Sequence, residues 1–448
     1  VRAFIGSHVN LRHHHQPFAS LSFANALIDI ILFSLFAATL LGIARFHKFA
    51  LQISLSGLVA VLLVKLVMDG EFSLHTHFIA GYEGHHHGEW WILVNLAGLL
   101  LGFAVLADYF ERSGMPEKLT ELLPGGKKGA FALLVLIAVL SALLDNIAAA
   151  LIGGAAAITL FRRKVHIGYL AAMVAASNAG GAGSVIGDTT TTMMWIEGAS
   201  PFWMFEAFIG AAVSIAFFGY FASAQQNGLQ PLVKPDEKTP PVKKLMLLVV
   251  GLIIAGAITA NVKLDFPAAG VWAAIVIGTF ISRANWKVLM HASQGTVFLV
   301  CLVAAASMMP VDNLPDPTEW SALGLGFVSA FFDNIPLTKL AIAQDGYDWG
   351  VLAYAVGYGG SMLWFGSSAG VAIAGLFTEA KSVKLWIVQG WHVAVGYVLG
   401  FIAMILVVGW FPHPIKMDRN IPSNQVHEKP AIDGKSEAVT PDVPGKDH

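Results

Sequence analysis

The sequence predicts an all-α polytopic membrane protein: an inverted repeat of five spans plus one re-entrant hairpin in each half, with broken helices. Three observations lead there. Of 448 residues, 56% are hydrophobic and 12% charged, whereas a soluble domain carries about 25% charged residues. Apolar runs near the ~20 residues that cross a bilayer recur along the chain. An Asp-Asn pair interrupts one such run in each half. The single cysteine, Cys301, excludes a disulfide framework and a cysteine-only metal centre. A net charge of -2 argues against a nucleic-acid binder on bulk electrostatics.

In chain order, residues 1–20 hold Arg2 and Arg12 but no continuous apolar stretch. They read as an extracytoplasmic N-terminal segment without a cleavable signal. The first repeat, 21–222, has spans at 21–44, 50–68 and 90–110. The run 129–161 is too long for one span and is broken by "LLDNI", which fits a hairpin entering and leaving on one side. A turn at depth is tolerated only where protein or water covers its backbone. Spans at 167–198 and 202–222 complete the half. The polar, Pro-containing stretch 223–242 reads as a cytoplasmic linker. The second repeat, 243–411, has spans at 243–262, 268–284 and 288–310. A second hairpin at 320–344 is broken by "FFDNIP", and spans at 349–376 and 385–411 follow. The tail 412–448, polar and rich in Pro, Asp and Lys, is expected to be disordered.

With two hairpins and ten spans, basic residues fall on one side. Arg45, Lys48, Arg112, Lys127, Lys128, Arg162, Arg163, Lys164, Lys243, Lys244, Arg283 and Lys287 are among them, against Lys263 alone in the opposite loops. The positive-inside rule then places both termini outside the cytoplasm, in a multi-pass inner-membrane protein.

The halves repeat. "SALLDNIAAALI" (141–152) matches "SAFFDNIPLTKL" (329–340), and "GGAGSVIGDTT" (180–190) aligns without gaps to "GGSMLWFGSSA" (359–369). Five spans per half is odd, so the second half is inverted. Inverted repeats with interrupted helices are the recurring plan of secondary transporters, with the site at the repeat interface.

A carboxylate in the membrane interior costs at least ~2.5 kcal/mol, so intramembrane acids read as functional. Asp145, Asp188 and Asp333 all fall at expected helix breaks, where freed carbonyl oxygens suit a small hard cation. Asn146 and Asn334 add amide oxygens; Thr189, Thr190, Ser367 and Ser368 add hydroxyls. The set is oxygen-only, unlike a zinc site. The plainer alternative is helix capping by the Asp residues and back-bonding by the Ser and Thr hydroxyls. A carboxylate that holds a metal ion or a proton, never both, supports obligate exchange.

The stretches "DNI", "NAGGAGSVIGDTTTTMMW" (178–195), "FFDNIPLT" (331–338) and "GGSMLWFGSSAGVAI" (359–373) resemble the signatures of NhaD-type sodium/proton antiporters. These belong to the ion transporter superfamily, which also holds arsenite exporters, citrate transporters and divalent-anion/sodium symporters. The resemblance covers most of 90–411. It implies two hairpins, broken helices and often a homodimer. It also implies exchange of sodium or lithium for protons, with no enzyme activity and no resident cofactor. By resemblance the ion-handling residues are Asp145, Asn146, Asp188, Thr190, Thr191, Asp333, Asn334, Ser367 and Ser368. Two features depart from the family pattern. Ala148, Ala149 and Ala150 follow the first Asp-Asn where hydroxyls are usual, and Lys339 stands in the second hairpin. An ammonium there is placed to pair with an Asp and displace a sodium ion. The alternative function is sodium- or proton-coupled transport of citrate or a dicarboxylate, which three Asp residues would oppose unless neutralised. No nucleophile–base pair or phosphate loop marks an enzyme.

Outside the spans, the loop 74–87 carries His75, His77, His85, His86 and His87. Such imidazoles either bind a divalent metal and titrate near pH 6–7, or form a solvated loop with no specific role. Lys65 is expected to snorkel beside Asp69.

Overall fold

The computed structural model describes residues 18–70, 72–80, 88–234, 241–311 and 314–413. Among them it is all helix and turn, without strands. The first half comprises α1 (Phe18–Arg45), α2 (Ala50–Met68), α3 (Glu89–Arg112) and α4 (Met115–Glu121). After these come α5 (Gly126–Leu143), α6 (Asn146–Leu160), α7 (Ile167–Ala182), α8 (Thr189–Ile196), α9 (Pro201–Met204) and α10 (Ala207–Leu229). The second half begins with α11 (Lys244–Leu264), α12 (Pro267–Ile281) and α13 (Lys287–Ala306). It continues with α14 (Glu319–Ser329), α15 (Asn334–Gln344), α16 (Trp349–Gly359), α17 (Ser368–Leu376), α18 (Val383–Gln389) and α19 (Trp391–Val407).

The two runs expected to be hairpins are each divided at their Asp-Asn pair, into α5/α6 and α14/α15. The crossings at 167–198 and 349–376 are each divided, into α7/α8 and α16/α17. Seven helical stretches among the described residues are long and apolar enough to cross a membrane, eight if the bent pair α18–α19 is one span. Six of the seven fall on expected spans and the seventh is α5, expected as a hairpin arm; of the other expected spans two are divided, one is the bent pair, and α12 has 15 residues.

Four boundaries differ from expectation. Residues 18–20 already belong to α1. Residues 223–229 are helical, because Ser223 and Gln226 are buried and extend α10 past its apolar run. Gly390 separates α18 from α19 with a 58° bend where one straight span was expected. Residues 412 and 413 are folded against α16: the Phe411 N–H donates to Asp348 Oδ2 at 2.9 Å, and Trp349 Nε1 donates to the His413 carbonyl at 2.5 Å. The remainder of the tail lies outside the described residues.

The hairpins are anchored at opposite ends of α19. At the base of the first, the Val233 N–H donates to the Leu160 carbonyl at 3.0 Å, so the linker seats on it. The same end of α10 meets the start of α19, where His392 and Gln225 lie 3.1 Å apart. At the base of the second, the His413 N–H donates to the Tyr347 carbonyl at 3.3 Å, beyond the other end of α19.

Small residues let the broken crossings pack against the hairpins. A Cβ on Gly180 would collide with the Ala138 carbonyl, and one on Gly359 with the Gly326 carbonyl. Both pairs join equivalent places in the two halves. Ser141 Oγ donates to the Ser177 carbonyl at 2.6 Å, and its counterpart Ser329 Oγ donates to the Val356 carbonyl at 2.8 Å. Across the halves, α6 packs on α17 and α15 packs on α8, so each hairpin's second arm seats on the opposite half's broken helix.

Candidate functional site

Four helix N-termini converge where these elements meet, and their N-caps are Asp145 (α6), Asp188 (α8), Asp333 (α15) and Ser367 (α17). An N-terminus carries roughly half a positive charge, so it favours an anionic cap. Asp188 Oδ1 accepts from the Thr190 N–H at 3.1 Å, Asp333 Oδ1 from the Ile335 N–H at 3.1 Å, and Ser367 Oγ from the Gly370 N–H at 3.3 Å. Capping is therefore one role of these side chains.

Asp188 is the deepest acid, 1% exposed. Asn334 reaches it from the other half, with Nδ2 donating to Asp188 Oδ2 at 3.4 Å. It interacts electrostatically with both Asp145 and Asp333. Those two are only partly buried. Asp145 lines a cavity of about 530 Å3 between α3, α6 and α13, with Asp108 and Glu111 on its wall and Thr189 and Thr192 beside the site. Asp333 and Ser368 line a separate cavity of about 220 Å3 reached past α1 and α13.

The hydroxyls divide. Thr191 Oγ1 donates to the Ser184 carbonyl at 2.6 Å and the Asp188 carbonyl at 2.8 Å, and Thr192 Oγ1 to the Val185 carbonyl at 2.8 Å. These bonds hold the unwound 183–188 segment onto α8. Thr190 Oγ1, by contrast, is fully buried, bonds no backbone carbonyl and turns to the Asp188 carboxylate.

Asn146 faces a residue to which the sequence alone assigned no role. Its Nδ2 donates to Asn178 Oδ1 at 3.3 Å, and Asn178 Nδ2 donates to Ser361 Oγ and Ser367 Oγ at 3.0 Å each. Asn178 thereby ties α6, α7 and the second half together. The signal was a lone amide in the otherwise small and apolar α7.

Lys339 does not meet an Asp. Its ammonium lies 2.6 Å from Glu197 Oε1 and 3.0 Å from Glu89 Oε2, with its side chain 3% exposed. Glu197 follows α8 and Glu89 opens α3, so the lysine is held by carboxylates away from the three aspartates. Lys65 pairs with Asp69 at 2.9 Å, as its position suggested. In the histidine loop, His77 packs between Phe72 and Phe78 and sits 3.0 Å from Ser307 Oγ. Burial, then the charges of Lys339 and Lys65, lower its pKa from 6.5 to about 4, outside the expected pH 6–7 range. His85, His86 and His87 lie outside the described residues. Among those described, no three His, Cys, Asp or Glu side chains group to hold a metal ion.

A family model described as "Citrate transporter" matches residues 30–359, well over half of the chain. The chain belongs to the citrate transporter family. Among its relatives are "Sodium/proton antiporter 1" of Arabidopsis thaliana and "Na(+)/H(+) antiporter NhaD" of Vibrio parahaemolyticus. The first is 28% identical over 320 residues, 60% of this chain and 54% of the relative. The second is 25% identical over 298 residues, 53% of this chain and 70% of the relative. A further "Na(+)/H(+) antiporter NhaD", of Halomonas elongata, is 24% identical over 296 residues, 52% of this chain and 58% of the relative. The chain thus spans little more than half the length of the first of these. The NhaD names agree with the signature stretches, and the family and these relatives are transporters, not enzymes.

Proposed function

We propose that this family member is a secondary transporter that exchanges sodium or lithium for protons at Asp188. The reading rests on one observation: a buried carboxylate at a helix break is met by an amide of the opposite half and flanked by two acids that face cavities. Oxygen ligands suit a small hard cation. Cation and proton compete for one carboxylate, so release of one accompanies uptake of the other. Asp145 and Asp333 serve as relays between their cavities and the centre. The two hairpins enter from opposite faces of an inner membrane, with the linker on the cytoplasmic side and both termini outside. Relative movement of the halves would then alternate access.

The family description supports a second reading, transport of citrate or another carboxylate anion. Converging helix N-termini are ready-made anion sites. Here Asp188 and Asp333 already cap two of the four and the Asp145 carboxylate stands at a third, which favours a cation.

The test uses everted membrane vesicles holding the full chain and a respiration-generated pH gradient. Sodium or lithium should dissipate the gradient, and Asp188→Asn should not support the signal although it inserts. No dissipation by any monovalent cation, together with saturable uptake of labelled citrate, would replace cation exchange with the anion reading.

A further inference from the structure

The repeat places two oxygen clusters as mirror counterparts, and only one is filled by protein. The gapless alignment pairs Asn178 with Gly357 and Ala182 with Ser361, at the offset of 179 shared by Gly180 and Gly359 (357 - 178, 361 - 182, 359 - 180). On one side, Asn146 of the first hairpin faces Ser367, and the space between them holds the Asn178 amide with Ser361 beside it. On the other, Asn334 of the second hairpin faces Asp188. The counterparts of Asn178 and Ser361 there are Gly357 and Ala182, which bring no polar atom. A Cβ built on Gly357 would lie 3.3 Å from both Asp188 Oδ2 and the Ala182 Cβ. The buried Thr190 hydroxyl, turned to the Asp188 carboxylate and bonded to no backbone carbonyl, belongs to this second cluster.

We propose that the two clusters have parted into one fixed and one exchangeable: Asn178 permanently plugs the Ser367 side, while Gly357 leaves room beside Asp188 for a single dehydrated sodium or lithium ion held by Asp188, Thr190 and Asn334. Gly357 is then a specificity-determining position, since its missing side chain sets the size of the ion's seat. The fixed cluster binds no ion, because every polar group of the Asn178 amide already has a protein partner. This inference rests on the exchange reading for Asp188.

The test is equilibrium binding of radiolabelled sodium, with lithium as competitor, to the purified full chain in detergent. Gly357→Ala should weaken sodium about tenfold or more, the scale of one methyl group in a tight pocket. Lithium, the smaller ion, should be weakened less, so the lithium-to-sodium affinity ratio rises. Gly357→Asn, which reproduces the plugged side, should abolish binding. The double variant Gly357→Ala/Ala182→Gly relieves the contact with α7 but keeps the methyl against the carboxylate, so it should retain the raised ratio with restored thermal stability. Gly357→Ala binding both ions as the unaltered protein does would overturn the inference while leaving exchange at Asp188 standing. So would a double variant whose ratio returns to normal, since the effect would then be packing. An unaltered protein that binds neither ion would overturn the exchange reading and this inference together.

Discussion

The segments 141–192 and 329–371, each a divided Asp-Asn helix pair and the broken crossing after it, share a scaffold and differ in the chemistry it presents. The shared part is where backbones touch. Gly187 sits against the Ser141 carbonyl and Gly366 against the Ala330 carbonyl, and Ser141 and Ser329 make the same hydrogen bond to the neighbouring helix. The differing part is the side chains: Asp188 against Ser367, Asn178 against Gly357, and exposed Leu151 against buried Lys339. Close backbone contact admits only glycine or a small residue, so that scaffold tolerates little change. Asp188 and Asn178 at the centre also meet the other half, through Asn334 and through Ser361 and Ser367, so each half can take a different role. The first crossing supplies the buried acid. The second supplies the amide that meets it and a lysine held by Glu89 and Glu197.

Exchanging the central residues should break this comparison most sharply. Asp188→Asn is expected to reduce sodium-dependent dissipation of the pH gradient to the background of vesicles lacking the protein. Ser367→Ala should retain most of it. The reverse ranking would move the site to the second crossing.

Next in size is the lysine. Removing one partner of a buried ion pair costs about 3–5 kcal/mol, because the remaining charge is stranded. Lys339→Met should lower thermal stability by that order in detergent, and adding Glu89→Gln and Glu197→Gln should recover most of the loss. A single variant as stable as the unaltered protein would show that the three charges do not act together.

A smaller and symmetric effect is expected at the shared hydrogen bond. Ser141→Ala and Ser329→Ala should each cost about 1 kcal/mol, read from thermal unfolding under matched conditions. Clearly unequal losses would mean the two scaffolds are less alike than their geometry indicates.

An effect confined to low pH, and negligible at neutral pH, concerns His77, which has no role in either crossing. Its folded pKa of about 4 lies below its ordinary 6.5, so the unfolded chain binds this proton more readily. The stability that depends on the neutral imidazole is complete above about pH 6.5 and declines as pH falls toward 4. His77→Gln should therefore flatten the loss of thermal stability across that window, while the pH profile of exchange should not move. A profile that shifts with His77→Gln would make the loop a pH sensor.

Much of this was legible in the residues. The breaks at Asp145, Asp188 and Asp333 followed from acids and glycines in apolar runs, because helix capping and unwinding are local. The divisions into α5/α6 and α14/α15 followed from an Asp-Asn pair interrupting an apolar run in each half. Less legible were the helical 223–229 and the bend at Gly390, where burial and packing overrode a polar composition and an unremarkable glycine. The partners of Lys339 were not legible either, since Glu89 and Glu197 stand 250 and 142 residues away in sequence.

The sequence by itself determined that the chain is membrane-spanning, helical and duplicated, and where its helices break. Those properties depend on the length of apolar runs and on residues acting on their own backbone. Only the tertiary structure decided which oxygen meets which. Asn334 reaches Asp188 and Asn178 joins Asn146 to Ser367, because each contact depends on how the two halves seat against each other.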